Sequence, residues 1–186
     1  MKKQELLQKT RKDKVAHSAK ECAYLAVFVA VVIALQIILS VLPGVELVTV
    51  LFVSYAFVMG AKRGAVAAIT FSLLRQLVFG IYPKVLVLYL IYFPLLAFCF
   101  GGLGKLLKPV KGLLFIVIIA CICTALFTML DNILTPFWLG YSARDARLYF
   151  LASLPFMFPQ VICTAVSVTF LFLPLCKVFN MIKNKK

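Results

Sequence analysis

Between Cys22 and Cys176 the chain passes through six long apolar stretches, and the connections between them hold nearly all of its basic residues. This alternation constrains the fold more than any motif. A continuous apolar run of about 20 residues spans a bilayer core of about 30 Å as a helix, whereas a membrane strand needs only about 10 residues and alternates in polarity. With 64% hydrophobic residues and a mean hydropathy of +1.07 over 186 residues, the chain holds more apolar side chains than a wetted surface can tolerate. It reads as an all-α integral membrane protein, a single domain over residues 1–186 with six transmembrane helices in one bundle. The expected spans are Cys22–Leu42, Leu47–Ala61, Gly64–Ile81, Val85–Leu107, Gly112–Leu134 and Leu148–Cys176. The last is overlong and contains Pro155 and Pro159 near its start and Pro174 near its end, so a kink or break is expected near the start.

The net charge of +14 would suit a nucleic-acid partner if it were clustered on one soluble face. Instead, 16 of the 20 Lys and Arg residues fall in the N-terminal tail, at Lys62-Arg63, at Lys105, Lys108 and Lys111, and after Cys176. Alternate connections are therefore basic, and the positive-inside rule places both termini in the cytoplasm of a bacterial cell membrane. Nucleic acid is excluded as a partner. Residues 1–20 are expected to form a basic cytoplasmic segment, either a solvated tail or a short amphipathic helix whose lysines meet anionic lipid headgroups. The six cysteines lie in or beside apolar runs and read as small buried hydrophobes. Cys121 and Cys123, two apart and far in sequence from the single His17, make no metal site.

Glu46, Arg75, Lys84, Asp131, Arg144, Asp145 and Arg147 all fall at the expected outer end. Arg75, 11 residues past Gly64, sits roughly 17 Å along its helix, within the outer half of the membrane. An ionised group there must face protein or water, so Arg75 with Gln76 is the strongest functional pointer. It either forms an ion pair with Asp131 or Glu46 or binds an anionic or carbonyl group of a ligand. Tyr82, Tyr89, Tyr92, Phe93, Phe137, Trp138, Tyr141 and Tyr149 gather at the same level, where an interfacial aromatic belt is also expected. The outer connection LTPFWLGYSARDAR, Leu134–Arg147, has the makeup of a loop that covers a cavity. The expected substrate-binding residues are Glu46, Thr49, Arg75, Gln76, Tyr82, Lys84, Tyr89, Asp131, Asn132, Trp138 and Arg144. The chain has no nucleophile–base pair, paired-carboxylate motif or phosphate loop, so no catalytic residue, enzyme activity, cofactor or metal is expected.

Ala23, Ala26, Ala30 and Ala34 recur on one side of the first helix. Apolar helices in lipid associate by close packing, which small residues permit. The stripe therefore offers a groove to another helix, inside the bundle or outside it. With its size, six expected helices and A-x-x-x-A pattern, the chain resembles the substrate-binding S-component of energy-coupling factor (ECF) transporters for vitamins and micronutrients. LPGVELVTVL, Leu42–Leu51, is similar to a segment of that family. The resemblance implies that the alanine face docks on a transmembrane coupling subunit driven by two ABC-type ATPases. It also implies a vitamin-like small molecule, for instance a pterin, flavin, pyrimidine or corrinoid precursor, held under the Pro43–Glu46, Tyr82–Lys84 and Thr135–Arg147 connections. The rival expectation is a small channel or structural membrane subunit with no ATP-coupled cycle. A channel would carry a continuous polar stripe, and the inner halves of these helices are almost free of charge.

Overall fold

The computed structural model describes residues 2–41 and 47–184, with side-chain detail from residue 19 onward. Six helices follow one another: α1 (Lys2–Leu39), α2 (Val48–Met59), α3 (Ala61–Phe79), α4 (Pro83–Leu106), α5 (Leu113–Leu139) and α6 (Ala143–Asn184). Among the described residues, four stretches are long and apolar enough to cross a membrane: Ala19–Leu39 of α1, and the whole of α4, α5 and α6. α2 is apolar but has only 12 residues, roughly 18 Å of helix. α3 carries Lys62, Arg63, Arg75 and Gln76. The outer surface of the bundle is apolar, with Leu95, Phe98, Phe156 and Phe170 all more than half exposed. That inversion of the soluble pattern is what lipid as solvent requires, and the chain is a helical membrane protein.

The basic tail and the first apolar run form one continuous helix instead of two segments, because no Gly or Pro lies between Lys2 and Leu42 to break it. α2 and α3 are separated by Gly60 alone. Its φ of 91° is open to glycine, and its N–H closes α2 on the Ala56 carbonyl at 2.8 Å. The long loop expected over Leu134–Arg147 is not formed. α5 runs on through Pro136 to Leu139, Gly140 ends it in the left-handed conformation, and Ser142 starts α6 by accepting the Asp145 N–H at 3.2 Å. The connection is therefore three residues, 140–142. α6 is also unbroken from Ala143 to Asn184, although Pro155, Pro159 and Pro174 each remove an amide donor from it.

α2 is the hub, and every one of its residues is buried. The other helices surround it, with α4 and α6 packed most extensively on its sides. α4 comes so close that a Cβ at Gly104 would overlap the Phe57 carbonyl, and one at Gly101 would overlap the backbone of Ala61. In lipid such approach is the main source of helix association, since apolar helices gain nothing by leaving an apolar solvent. Rings then fill the bundle in an unbroken file. Phe127 meets Tyr89 (6.0 Å between centroids), Tyr89 meets Phe93 (5.1 Å), Phe93 meets Phe52 (4.8 Å), Phe52 meets Phe28 (5.4 Å) and Phe28 meets Phe179 (5.8 Å). Of the six cysteines only Cys176 is buried. Cys22 and Cys99 are exposed, where an apolar thiol meets lipid without cost, and the others are half-buried, with Cys123 packed against the core.

Candidate binding site at one end of the bundle

The α3–α4 and α5–α6 connections lie at the same end, where the start of α4 meets the end of α5 and the start of α6. Lys84, in the first turn of α4, reaches Asp131 Oδ1 at 3.0 Å and donates to Thr135 Oγ1 at 2.7 Å. Thr135 donates to Asp131 Oδ1 at 3.1 Å, and the Tyr149 hydroxyl of α6 donates to Oδ2 at 3.0 Å. Both oxygens of the carboxylate are thereby occupied, and three helices are tied at one point. Lys84 and Asp131 are each about three-quarters buried, so the pair is worth more than an exposed one.

Beside Asp131, Asn132 donates from Nδ2 to Ser153 Oγ at 2.8 Å, and Ser153 donates to the Phe150 carbonyl at 2.7 Å. Thr128 donates to Gln160 Oε1 at 3.3 Å. These groups line a cavity of about 360 Å³ between α5 and α6, walled by Phe127, Tyr149 and Phe156. Asn132 Oδ1 is buried and receives no hydrogen bond from the described residues. The periodicity is helical on both sides: 128, 131, 132 and 135 on α5 face 149, 153, 156 and 160 on α6.

No family model, no curated protein and no solved structure matches the chain, so its function is read from the site itself.

Arg75 does not join the Lys84–Asp131 pair. Its Nε donates to Gln36 Oε1 at 3.1 Å, and its guanidinium lies over the rings of Phe79 (4.6 Å) and Tyr89 (4.7 Å). Gln36 in turn donates to the Tyr89 hydroxyl at 3.2 Å. Stacking between two rings replaces part of the lost hydration of the cation. Of the ion pairs expected as alternatives for Arg75, the one with Asp131 is not formed: Lys84 takes the carboxylate, because the start of α4 and the end of α5 share this level while Arg75 faces α1 and α4, and the other, with Glu46, lies outside the described residues. One nitrogen of the guanidinium, Nη1, is buried without a hydrogen-bond partner among the described residues. Gln76 is 5% exposed. Its Oε1 accepts the Tyr82 N–H at 3.0 Å, and its Nε2 is also buried without a partner among the described residues.

The expected site residues therefore separate into groups. Lys84, Asp131 and Asn132 meet at the α5–α6 cavity. Arg75, Gln76, Tyr82 and Tyr89 form a neighbouring cluster, joined to the cavity wall by the Tyr89–Phe127 contact. Thr49 is buried in the first turn of α2. Trp138 and Arg144 are exposed and do not line the cavity, because α5 and α6 extend as helices where a covering loop was expected. Glu46, with Pro43 and Gly44, lies outside the described residues. Gln36, Thr128, Thr135, Ser153 and Gln160 belong to the two clusters and were not singled out from sequence. The signal available for them was the recurrence of polar residues three or four apart inside apolar runs.

At the opposite end Arg63 pairs with Glu21, and Lys183 donates to the Val58 carbonyl at 2.8 Å. Along α1, Phe28, Val29, Val32 and Ile33 are buried, while Ala23, Ala26, Ala30 and Ala34 are all exposed. The small-residue stripe is on the outside of the bundle.

Proposed function

We propose that the chain is the substrate-binding subunit of an ECF-type ABC importer. In this reading it has six spans and both termini in the cytoplasm of a bacterial cell membrane. It captures a vitamin or related micronutrient from outside at the α4–α6 end, then passes it inward together with a transmembrane coupling subunit and two ABC-type ATPases. The observation that carries the reading is the outward alanine stripe of α1. The bundle packs with the bulky side of that helix and leaves its smoothest face unpartnered, which suits close docking of a helix from a second membrane protein. The polar cavity at one end supplies a binding site. The file of rings from Phe127 to Phe179 supports a closed site over a small channel, since the polar residues that continue inward from the cavity, Thr124, Thr164 and Ser167, are buried, uncharged and bonded to one another or to helix carbonyls.

The test is a tagged pull-down from native membranes in mild detergent, with the Ala30→Trp variant in parallel. A coupling membrane protein and two ATPases are expected with the wild type and are expected to be lost with the variant, while the variant keeps its fold. Recovery of neither partner from a folded preparation would return the chain to the structural-subunit reading.

A further inference from the structure

We infer that the first half of α6 is a hinged gate on the α5–α6 cavity. It pivots at Pro155 and Pro159 and is held shut by Tyr149 on Asp131 and by Ser153 on Asn132. The inference deepens the binding-subunit reading and rests on it for treating the cavity as a ligand site.

Packing divides α6 into two unequal halves. Its buried residues, Thr164, Ser167, Val168, Phe172, Cys176 and Phe179, all lie in the second half. That half is keyed into the bundle: Phe172 meets Phe57 at 5.2 Å between centroids, and Phe179 meets Tyr55 at 5.4 Å and Phe28 at 5.8 Å. From Ala143 to Cys163 no residue is buried. Roughly 30 Å of helix is therefore held without a buried side chain of its own. Close packing is what holds apolar helices together in lipid, so this half is the least constrained part of α6.

The backbone supplies a pivot in the same half. Pro155 has no amide proton for the Leu151 carbonyl, and Pro159 has none for the Pro155 carbonyl, so two consecutive turns each lack a helical bond. A helix bends most readily where such bonds are missing. The cavity wall divides at this point. Tyr149, Ala152 and Ser153 precede the prolines, Phe156 lies between them and Gln160 follows. A bend there carries the first three away from α5 and leaves Gln160 beside Thr128.

The moving side is fastened by polar bonds. The Tyr149 hydroxyl donates to Asp131 Oδ2 at 3.0 Å, and Ser153 Oγ accepts from Asn132 Nδ2 at 2.8 Å. Both lie at the charged end of the bundle. Water replaces each bond as the wall swings open, so opening exchanges hydrogen bonds and does not forfeit them. A guest then enters between α5 and α6, and closure restores the two fastenings behind it.

The experiment uses the full chain in lipid nanodiscs, with its six cysteines replaced by Ala or Ser and no ligand added. Spin labels at Ile81→Cys and Arg144→Cys, both exposed at the cavity end, report the first half of α6 by pulsed electron resonance distances. A second pair, Leu106→Cys and Val178→Cys, reports the second half. The first pair is expected to show two distances, closed and open. Tyr149→Phe keeps the ring and removes one fastening, and is expected to raise the open-to-closed ratio about tenfold. Pro155→Ala with Pro159→Ala restores both backbone bonds and is expected to leave one distance. The second pair is expected to be unchanged throughout, which also verifies the fold of each variant. A single distance common to all backgrounds, a double alanine variant as mobile as its parent, or a second pair that shifts with the first would each overturn the gate. The two readings fail separately. A mobile first half without recovered ATPases overturns the importer and leaves the gate, while recovered ATPases with a rigid α6 overturn only the gate.

Discussion

The Lys84–Asp131 pair shows how a residue that hydropathy marks as costly is made tolerable. Each partner satisfies the other, and Thr135 and Tyr149 occupy the remaining lone pairs. Breaking such a pair from one side leaves an uncompensated charge, while replacing both sides removes the penalty together with the attraction. Lys84→Met and Asp131→Leu are each expected to lower the thermal midpoint in micelles. The double variant is expected to lose less than the sum, with a coupling of about 1–3 kcal/mol; strict additivity would show that the pair contributes nothing. Sequence marked both residues as unusual but not as partners, because the pairing joins positions 47 apart and depends on how α4 meets α5. Arg75 was marked for the same reason and found a different solution, two rings and Gln36. A lone glutamine in an apolar run carries too little signal to be singled out beforehand.

Helix ends were less legible than helix existence, and the α5–α6 junction shows why. Thr135-Pro136 read as the start of a loop, yet a proline near the end of a helix costs only one amide bond, and the Gly140 N–H still closes on the Pro136 carbonyl. The true boundary signals were Gly140 in the left-handed conformation and the Ser142-x-x-Asp145 cap, both present in the sequence and outweighed by the aromatic content around them. The consequence is functional, since residues expected to form a lid instead lengthen the helices that wall the cavity. Element packing yields its own test on α4. Gly104→Ala would force α4 away from the Phe57 carbonyl, and a loss of about 1–3 kcal/mol or more is expected. Gly102→Ala meets nothing within 4 Å and is expected to be neutral or slightly stabilising. Denaturation midpoints in SDS–detergent mixtures separate the two, and equal effects would mean that the close approach of α4 to α2 does not contribute to stability.

Across the whole molecule, charge divides by end. Lys62, Arg63, Lys105, Lys108, Lys111, Lys177 and Lys183 gather at the end where α3 and α5 begin, with Glu21 on Arg63. Asp131 and Asp145 sit at the cavity end together with Arg75, Lys84, Arg144 and Arg147. The first end carries seven of these cations against one carboxylate and the second four against two, and loop Lys and Arg resist translocation far more than Asp and Glu favour it. The cavity should therefore open to the outside and the alanine stripe should end near the cytoplasm, which is the arrangement an importer needs if the ligand is captured before any partner acts. In a variant whose six cysteines are replaced by Ala or Ser, Ser142→Cys should react in intact cells with a membrane-impermeant maleimide, and Lys108→Cys only after permeabilisation. Ser142 and Lys108 lie in the connections at opposite ends, so neither label has to enter the bundle. The reverse pattern would place the cavity on the cytoplasmic side and remove capture from outside as a mechanism, whatever the cavity binds. Labelling of both positions in intact cells would mean that the two connections face the same side, and would contradict the alternation on which the span count depends.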